Sequence, residues 1–232
     1  MHIGLVGAGR MGQALAGRLS RQGGFTLRLF DRNMDIMQLA AERYGAETAT
    51  SIEEMANLRL VILAVPDKEI INCLEVFKNV KKPPVLLNIA TNVSQQRLNA
   101  AVAESHLTCI GVKFVGHAGE IALGERPIII VDESGSDFFP VIKEIFQTIG
   151  EVMIGDSDIV TKINTIAAEE VLIAGVHIEN RLREQSISDP LLINSAIRQV
   201  AAGTLKAFAN GDLGPFAREI VNEVRIRINQ RM

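Results

Sequence analysis

The first residues of the chain constrain its fold more than any other segment does. An apolar run at residues 2–6 leads into Gly7-Ala8-Gly9-Arg10-Met11-Gly12, and residues 10–22 then carry apolar side chains at helical spacing. A strand, a glycine-rich turn and a helix in this order match the G-x-G-x-x-G fingerprint of dinucleotide-binding proteins. We therefore expect these six loop residues to bind a dinucleotide, with its pyrophosphate at the helix N-terminus. The alternative is a tight strand–helix turn that binds no ligand.

The first 156 residues continue as an alternation of short apolar strands and helices. Strands are predicted at 25–30, 60–65, 85–90, 107–112, 127–131 and 151–154, and helices at 34–44, 67–78, 94–104 and 136–149. Short, fully apolar strands separated by helices are typical of a parallel sheet that helices cover on both faces. We predict an α/β fold with a Rossmann-type, mostly parallel sheet.

Beyond residue 157 the pattern becomes helical throughout, with helices predicted at 158–186, 190–210 and 214–230. We place a domain boundary near 155–158. It separates a dinucleotide-binding domain at 1–156 from a small all-helical domain at 157–232 that serves the substrate and dimerisation. The C-terminal helices carry apolar residues on more than one face, so we expect a homodimer built through them. The alternative is a monomer whose three helices bury one another.

Composition excludes several other classes of protein. The net charge of −3 gives a polyanion no basic surface, so we expect no nucleic-acid partner. No apolar run approaches the roughly 20 residues of a membrane helix, and the N-terminus lacks the pattern of a signal peptide. Two cysteines make neither a disulfide framework nor a four-ligand metal site, so we expect no metal and a cytoplasmic location.

Asp31 closes the second predicted strand, roughly 20 residues after Gly12, where an acidic residue binds the adenosine ribose hydroxyls. An aspartate at this position repels the 2′-phosphate of NADP. Arg32 and Arg28 lie close by and an arginine can accommodate that phosphate, so the choice between NAD and NADP stays open. Asp31 could instead cap the turn Asp31-Arg32-Asn33.

The ends of two later strands are predicted to border the same ligand, because ligands of such sheets lie beyond the carboxyl ends of the strands. Ala64-Val65-Pro66 ends one of these strands, and Ala90-Thr91 ends the next. Small residues there leave room for the ribose and the nicotinamide. The alternative is ordinary loop structure.

Four segments resemble the pyrroline-5-carboxylate reductases. They are GAGRMG at 7–12, VILAVPDKEI at 61–70, LLNIATNVSQQRL at 86–98 and VIKEIFQTIGEV at 141–152, and AEEVLIAGVHIENRL at 168–182 is similar more loosely. The wider superfamily includes the β-hydroxyacid and prephenate dehydrogenases. The resemblance implies a nicotinamide-dependent reductase that pairs through its C-terminal domain.

Two segments of those reductases have no counterpart here. Their Met-Pro-Asn-Thr-Pro segment is replaced by residues 113–119, and their Ser-Pro-Gly-Gly-Thr segment by residues 210–215. The resemblance therefore implies the fold and the cofactor, but it does not identify the residues that would bind pyrroline carboxylate.

His117 is the first candidate for handling the proton that accompanies hydride transfer. It lies in a predicted glycine-rich loop after a strand, and histidine is suited to general acid–base catalysis. The segment FVGHAG also resembles the histidine-bearing segment of prephenate dehydrogenases. Lys162 is the second candidate, because β-hydroxyacid dehydrogenases carry a lysine at the start of the corresponding helix. Lys113, at the end of a predicted strand, is a further candidate. The alternatives are a histidine that caps a helix or faces solvent and, for each of the two lysines, a solvated side chain.

These features together predict an NAD- or NADP-dependent oxidoreductase that acts on a C=N or C=O bond of a small substrate. A deazaflavin is the alternative cofactor, since relatives of this sheet bind it with NADP. The alternative that is not an enzyme is a regulatory protein that binds a dinucleotide and has lost its substrate site. The two missing reductase segments favour that alternative.

Overall fold

The computed structural model describes residues 1–230. In this part of the chain the strands are β1 (His2–Val6), β2 (Thr26–Phe30), β3 (Glu47–Thr48), β4 (Leu60–Leu63), β5 (Val85–Asn88), β6 (Thr108–Val115), β7 (Ile128–Asp132) and β8 (Glu151–Gly155). The helices are α1 (Arg10–Gln22), α2 (Met34–Tyr44), α3 (Asp67–Lys78), α4 (Gln95–Val102), α5 (Ala118–Leu123), α6 (Phe139–Phe146), α7 (Ile159–Glu184), α8 (Pro190–Ser195), α9 (Ala202–Ala209) and α10 (Pro215–Asn229).

The strands form one sheet in the order β3-β2-β1-β4-β5-β6-β7-β8. Every neighbouring pair is parallel except β6 and β7, which are antiparallel. The chain winds from β1 outward to β3 and then returns to β4 on the other side of β1. This reversal marks the point at which ligands of such sheets bind. The predicted Rossmann-type, mostly parallel sheet is confirmed.

β6 is paired along its two halves with two different strands. Its first four residues, 108–111, pair with β5, and its last four, 112–115, pair with β7. β7 and β8 therefore begin beyond the carboxyl end of β5 and run back toward it. Asp132 of β7 and Gly155 at the end of β8 lie side by side, one position beyond the Val131–Val112 pair.

The hydrophobic core lies in two layers, one on each face of the sheet. Successive residues of β4 alternate between them, with Leu60 and Ile62 in the layer under α1, α2 and α6, and Val61 and Leu63 in the layer under α3 and α4. Because both faces are covered, neither set of side chains meets water, and the strands are continuous apolar runs instead of alternating ones.

Some elements differ from the predictions in helix type. The helix predicted at 136–149 is preceded by a 3₁₀ helix over Glu133–Phe138, which Asp132 caps by accepting hydrogen bonds from the backbone N–H and hydroxyl of Ser134. The helix predicted at 190–210 is divided by a π-helical turn over Ala196–Ala201. Hydrophobic spacing follows helical periodicity through both segments and does not distinguish these helix types.

The chain divides into two compact units, the first covering Met1–Ile166 and the second beginning at Ala167. The second unit holds the remainder of α7 together with α8, α9 and α10. Within residues 167–230, Ile193 is the only residue that is buried. None of the helices of residues 1–230 has the length and apolar character needed to cross a lipid bilayer.

Candidate functional site

The glycines of the loop between β1 and α1 meet three different physical demands. Gly7 has a φ of +100°, and a Cβ there would lie 2.4 Å from the carbonyl oxygen of Ala64. A Cβ on Gly12 would lie 2.0 Å from the carbonyl oxygen of Gly7. A Cβ on Gly9, in contrast, would meet no atom within 4 Å. Gly7 and Gly12 thus allow close backbone packing, whereas Gly9 keeps the space in front of the loop open.

This open space adjoins the N-terminus of α1. Gly9 is the N-cap residue and provides no side-chain cap, and Arg10, Met11 and Gly12 form the first turn. The first N–H groups of a helix have no partner within the helix and carry a partial positive charge. A dinucleotide pyrophosphate fits this position, because the space beside Gly9 is open. The unpaired N–H groups and the dipole of α1 favour a negative charge there.

Asp31 connects the end of β2 to the glycine loop. Its Oδ2 atom accepts a hydrogen bond from the backbone N–H of Ala8 at 2.6 Å, and its Oδ1 atom accepts one from the N–H of Asn33 at 2.8 Å. The carboxylate therefore caps the turn that follows β2 and also steadies the loop. It borders an open cleft, where the predicted ribose contact stays a prediction.

This cleft of about 500 Å³ opens beyond the carboxyl ends of β1, β2 and β4. It brings together seven of the residues predicted to bind the cofactor, namely Gly7, Gly9, Asp31, Arg32, Ala64, Val65 and Pro66. Ala8, Arg10, Met11 and Gly12 belong to the adjoining loop and helix turn. A cleft of this size, bordered by the loop, the β2 end and the β4 end, matches the adenosine half of a dinucleotide.

One wall of the cleft was not predicted from the sequence. It comes from α3 and comprises Lys68, Glu69, Asn72, Cys73 and Val76, and Ile52 also lines the cleft. The spacing of residues 69, 72, 73 and 76 places them on one helix face. Their position directly after Pro66 was the signal that could have identified them.

Arg32 and Glu69, two of the charged residues that line the cleft, form an ion pair. Nη2 of Arg32 lies 2.9 Å from Oε2 of Glu69, and the side-chain amide of Asn72 donates to the same oxygen at 3.3 Å. The Asn72 hydrogen bond and the Arg32 charge hold the pKa of Glu69 below its usual value. Burial raises the pKa of the Cys73 thiol to about 11, so this side chain contributes an uncharged surface to the cleft.

Ala90 and Thr91 follow β5 and lie outside the lining of this cleft. Ala90 is buried, and its N–H donates to the side-chain oxygen of Asn88. The carbonyl oxygen of Thr91 accepts a hydrogen bond from the hydroxyl of Thr161, in the first turn of α7, at 2.5 Å. Thr91 therefore marks the place where α7 meets the strand ends.

His117 and Lys162 lie on different elements. His117 is the N-cap of α5, and its Nδ1 atom accepts a hydrogen bond from the N–H of Gly119 at 3.2 Å. The side chain thus caps a helix, and with Nδ1 as acceptor the neutral ring carries its proton on Nε2. Lys162 is exposed in the first turn of α7. Asn164, two residues later, donates to the carbonyl oxygen of Phe114 in β6.

Lys113 is not a solvated lysine, and that alternative is wrong. It lies in β6 with no exposed surface, and its Nζ atom is 2.5 Å from Oδ1 of Asp158. Asp158 also accepts from the backbone N–H of Gln95, at the start of α4. The Gln95 side chain continues the network by accepting from Gly111 and donating to the carbonyl oxygen of Cys109. Within residues 1–230, no group of three or more His, Cys, Asp or Glu side chains is arranged to hold a metal ion.

Comparison with known families agrees with this geometry. Residues 2–164 match the profile of the NAD-binding domain of 6-phosphogluconate dehydrogenase. This match covers the loop, both sides of the cleft and the first turns of α7. No curated protein sequence shows significant similarity to the chain.

Solved structures with low sequence identity share the fold. A reductive aminase from Aspergillus terreus, solved with NADPH and ethyl levulinate, has a TM-score of 0.70 and 19% identity, with 96% of this chain and 78% of that chain covered. A pyrroline-5-carboxylate reductase from Coxiella burnetii has a TM-score of 0.66 and 14% identity over 99% of this chain and 90% of its own. A 3-hydroxyisobutyrate dehydrogenase from Mycobacterium tuberculosis, solved with L-serine, has a TM-score of 0.64 and 16% identity over 84% of this chain and 69% of its own.

Proposed function

The chain belongs to the family of the NAD-binding domain of 6-phosphogluconate dehydrogenase, and from this premise we propose that it is an NAD(P)-dependent oxidoreductase. It transfers a hydride to or from a C=N or C=O bond of a small substrate. The observation that carries the proposal is the coincidence of the open space at Gly9, the N-terminus of α1 and the Asp31 carboxylate around one cleft.

The first domain, residues 1–156, holds the cofactor. The glycine loop and the first turn of α1 bind the pyrophosphate, and Asp31 accepts from the ribose hydroxyls. Ile52, Val65 and Val76 supply apolar walls for the adenine. Ala90 and Thr91 extend the binding surface toward the nicotinamide, which when bound supplies the hydride.

The proton that accompanies hydride transfer is assigned to His117. In the neutral ring, whose Nδ1 accepts from Gly119, the Nε2–H can donate a hydrogen bond to the substrate. Transfer of the proton from Nε2 requires the imidazolium form, in which Nδ1 also carries a proton and no longer accepts from Gly119. Lys162 is the second candidate, since it stands in the first turn of α7 and that turn is fixed by the bond from Thr161 to Thr91. Either side chain would donate a proton to the substrate nitrogen or oxygen, which gains an electron pair when the hydride adds to the carbon of the C=N or C=O bond.

The substrate class is drawn from the relatives of this fold. Pyrroline-5-carboxylate reductase and reductive aminase are names of enzymes that reduce C=N bonds, and 3-hydroxyisobutyrate dehydrogenase is named for a hydroxy acid. We favour an imine substrate, because four segments of the first domain resemble the pyrroline-5-carboxylate reductases.

The second domain, residues 157–232, is assigned to substrate binding and to a homodimer. Leu172, Leu191 and Val200 are 69%, 78% and 68% exposed, on α7, on α8 and in the π-helical turn. Large apolar side chains exposed on three consecutive helical segments form more apolar surface than a monomeric protein usually leaves in water. A second copy of the same helices is the simplest cover.

The proposal is tested in two stages. Titration with NADH and NADPH, followed by nicotinamide fluorescence, measures binding; absence of binding for both contradicts the cofactor assignment. A panel of cyclic imines, ketones with amines, and 2- and 3-oxo acids, followed by nicotinamide absorbance, measures turnover. Binding without turnover on any member would favour the regulatory alternative, which the replacement of both reductase segments supports.

A further inference from the structure

The cleft contains a cross-cleft ion pair that the family's fingerprint does not include. Arg32 follows β2, and Glu69 lies in the first turn of α3. Their side chains meet with 2.9 Å between Nη2 and Oε2, and both residues line the cleft. The Arg32 side chain is 72% exposed, whereas only 21% of the Glu69 side chain is exposed. Glu69 is thus the less exposed partner, and the side-chain amide of Asn72 also donates to its carboxylate.

A second negative charge is fixed beside this pair. The Asp31 carboxylate accepts from the backbone N–H groups of Ala8 and Asn33, so it is held at the end of β2. The adenosine ribose of a dinucleotide lies at this strand end in Rossmann-type sheets. A 2′-phosphate on that ribose would bring about two further negative charges between two carboxylates.

Arg32 is the residue after β2 whose cation could offset that phosphate. In the structure its guanidinium is already paired with Glu69, and the phosphate would have to compete for it. Even after the pair breaks, the Glu69 carboxylate remains in the cleft and opposes the phosphate. Asn72 helps to hold Glu69 in place, through the hydrogen bond to Oε2. Lys68 also lines the cleft, but it lies next to Glu69 in the chain, so the Glu69 carboxylate offsets its charge as well.

We propose that Glu69 is a specificity-determining residue that makes the cleft favour NAD(H) over NADP(H). This inference rests on the proposed function, because it concerns the same nucleotide site. It assigns the discrimination to α3, on the opposite side of the cleft from Asp31.

The experiment measures the dissociation constants of NADH and NADPH for the wild-type chain and for Glu69→Gln. Glutamine keeps the length of the side chain and removes its charge. We expect the wild type to bind NADH more tightly than NADPH. Glu69→Gln should bind NADPH about fivefold more tightly than the wild type does, a gain that corresponds to the free energy of an exposed ion pair. Its dissociation constant for NADH should change by less than about twofold. Arg32→Ala in the Glu69→Gln background should remove the gain.

Glu75→Gln is the matched control. Glu75 lies on the same helix, pairs with Lys78 at 2.5 Å, and does not line the cleft, so its substitution should leave both constants unchanged. A wild type that binds neither nucleotide would overturn the proposed function itself. A wild type that binds both but prefers NADPH, or a Glu69→Gln variant with an unchanged ratio, would overturn this inference and leave the proposed function standing.

Discussion

The ammonium group of Lys113 lies 2.5 Å from the carboxylate of Asp158, and the two side chains differ sharply in exposure, with 0% for the lysine and 37% for the aspartate. The pair joins β6 to the segment between β8 and α7. It is therefore an asymmetric ion pair, in which one charge depends on its partner and the other can still be hydrated.

This asymmetry predicts unequal losses of stability. Asp158→Asn leaves a buried ammonium without its counterion and should lower the free energy of unfolding by about 3 kcal/mol. Lys113→Met removes the buried charge and keeps most of the side-chain volume, so the loss should stay below about 1.5 kcal/mol. Urea unfolding of both variants measures the difference. Equal losses would show that the unpaired lysine charge is not the main cause of the destabilisation.

The glycine loop predicts opposite outcomes for two substitutions. Gly9→Val should keep the fold, because the backbone there is extended, with φ −70° and ψ −169°, and no atom lies within 4 Å of the added Cβ. It should weaken NAD(P)H binding at least about 100-fold by filling the pyrophosphate space. Gly12→Ala places a Cβ 2.0 Å from a backbone oxygen and should reduce the melting temperature instead. Thermal melts and cofactor titration separate the two effects, and tight binding by a folded Gly9→Val would refute the pyrophosphate assignment.

The role of His117 is tested by variants that separate capping from proton transfer. Asparagine is also a good N-cap residue, so His117→Asn should preserve the melting temperature while turnover falls by about 10²- to 10⁴-fold. His117→Ala should lose the same activity and about 1 kcal/mol of stability as well. Steady-state kinetics on an active imine or oxo acid provides the measurement. Full activity in His117→Asn would transfer the assignment to Lys162, for which Lys162→Met is the corresponding test.

The buried thiols predict a loss of stability at alkaline pH. Burial raises the pKa of Cys109 from its ordinary 9.0 to about 12, and that of Cys73 to about 11. The folded state therefore keeps both thiols neutral while the unfolded chain releases their protons. This contribution to stability is complete below pH 9 and is lost as the pH rises toward 11 to 12. Urea unfolding between pH 8 and about 10.5 should show a shallower decline for Cys109→Ala than for the wild type. Parallel declines would exclude the thiol as the cause.

The homodimer is tested by mass. One chain has a mass of 25.3 kDa, and static light scattering at micromolar concentration should give about twice that value. Leu172→Glu on α7 should shift the mass to that of a single chain, because it introduces a charge into the proposed interface. Leu123→Glu is the control, since Leu123 is 82% exposed on α5 in the first unit. A wild type that scatters as one chain would reject the dimer.

Local sequence determines much of this fold, and pairs of residues distant in the chain determine the rest. The β1–loop–α1 unit was predictable because its strand, its three glycines and its helix are contiguous. The direction of β7 was not, because short apolar strands carry no signal for parallel or antiparallel pairing. The partner of Lys113 was equally hidden, since Asp158 lies 45 residues away and in a polar turn. A lysine inside the apolar segment 110–115 was nevertheless a sign that a buried counterion must exist.

In the candidate site, the residues predicted at the ends of β1, β2 and β4 line one cleft, whereas Ala90 and Thr91 after β5 lie outside its lining and the wall from α3 was not predicted. Cofactor contact by any of them stays a prediction. Strand ends are specified by glycine, proline and aspartate, whose local effects are strong. Glu69 and Asn72 enter the cleft only because α3 packs with a particular rotation, which depends on buried contacts such as those of Leu74 and Phe77. That rotation is a property of the packed core, which a single segment of sequence does not encode.

The division of β6 between two partners has a consequence for the position of α7. Because β7 pairs only with the outer half of β6, and β8 pairs with β7, the chain leaves β8 near the carboxyl ends of the parallel strands, and α7 begins beside Thr91 and Gln95. The length of β6 therefore sets where α7 starts. Deleting two residues from its outer half would withdraw β7 by about 7 Å along the strand direction, and β8 with it. Strand length alone thus moves the start of α7 along the sheet and leaves the glycine loop untouched.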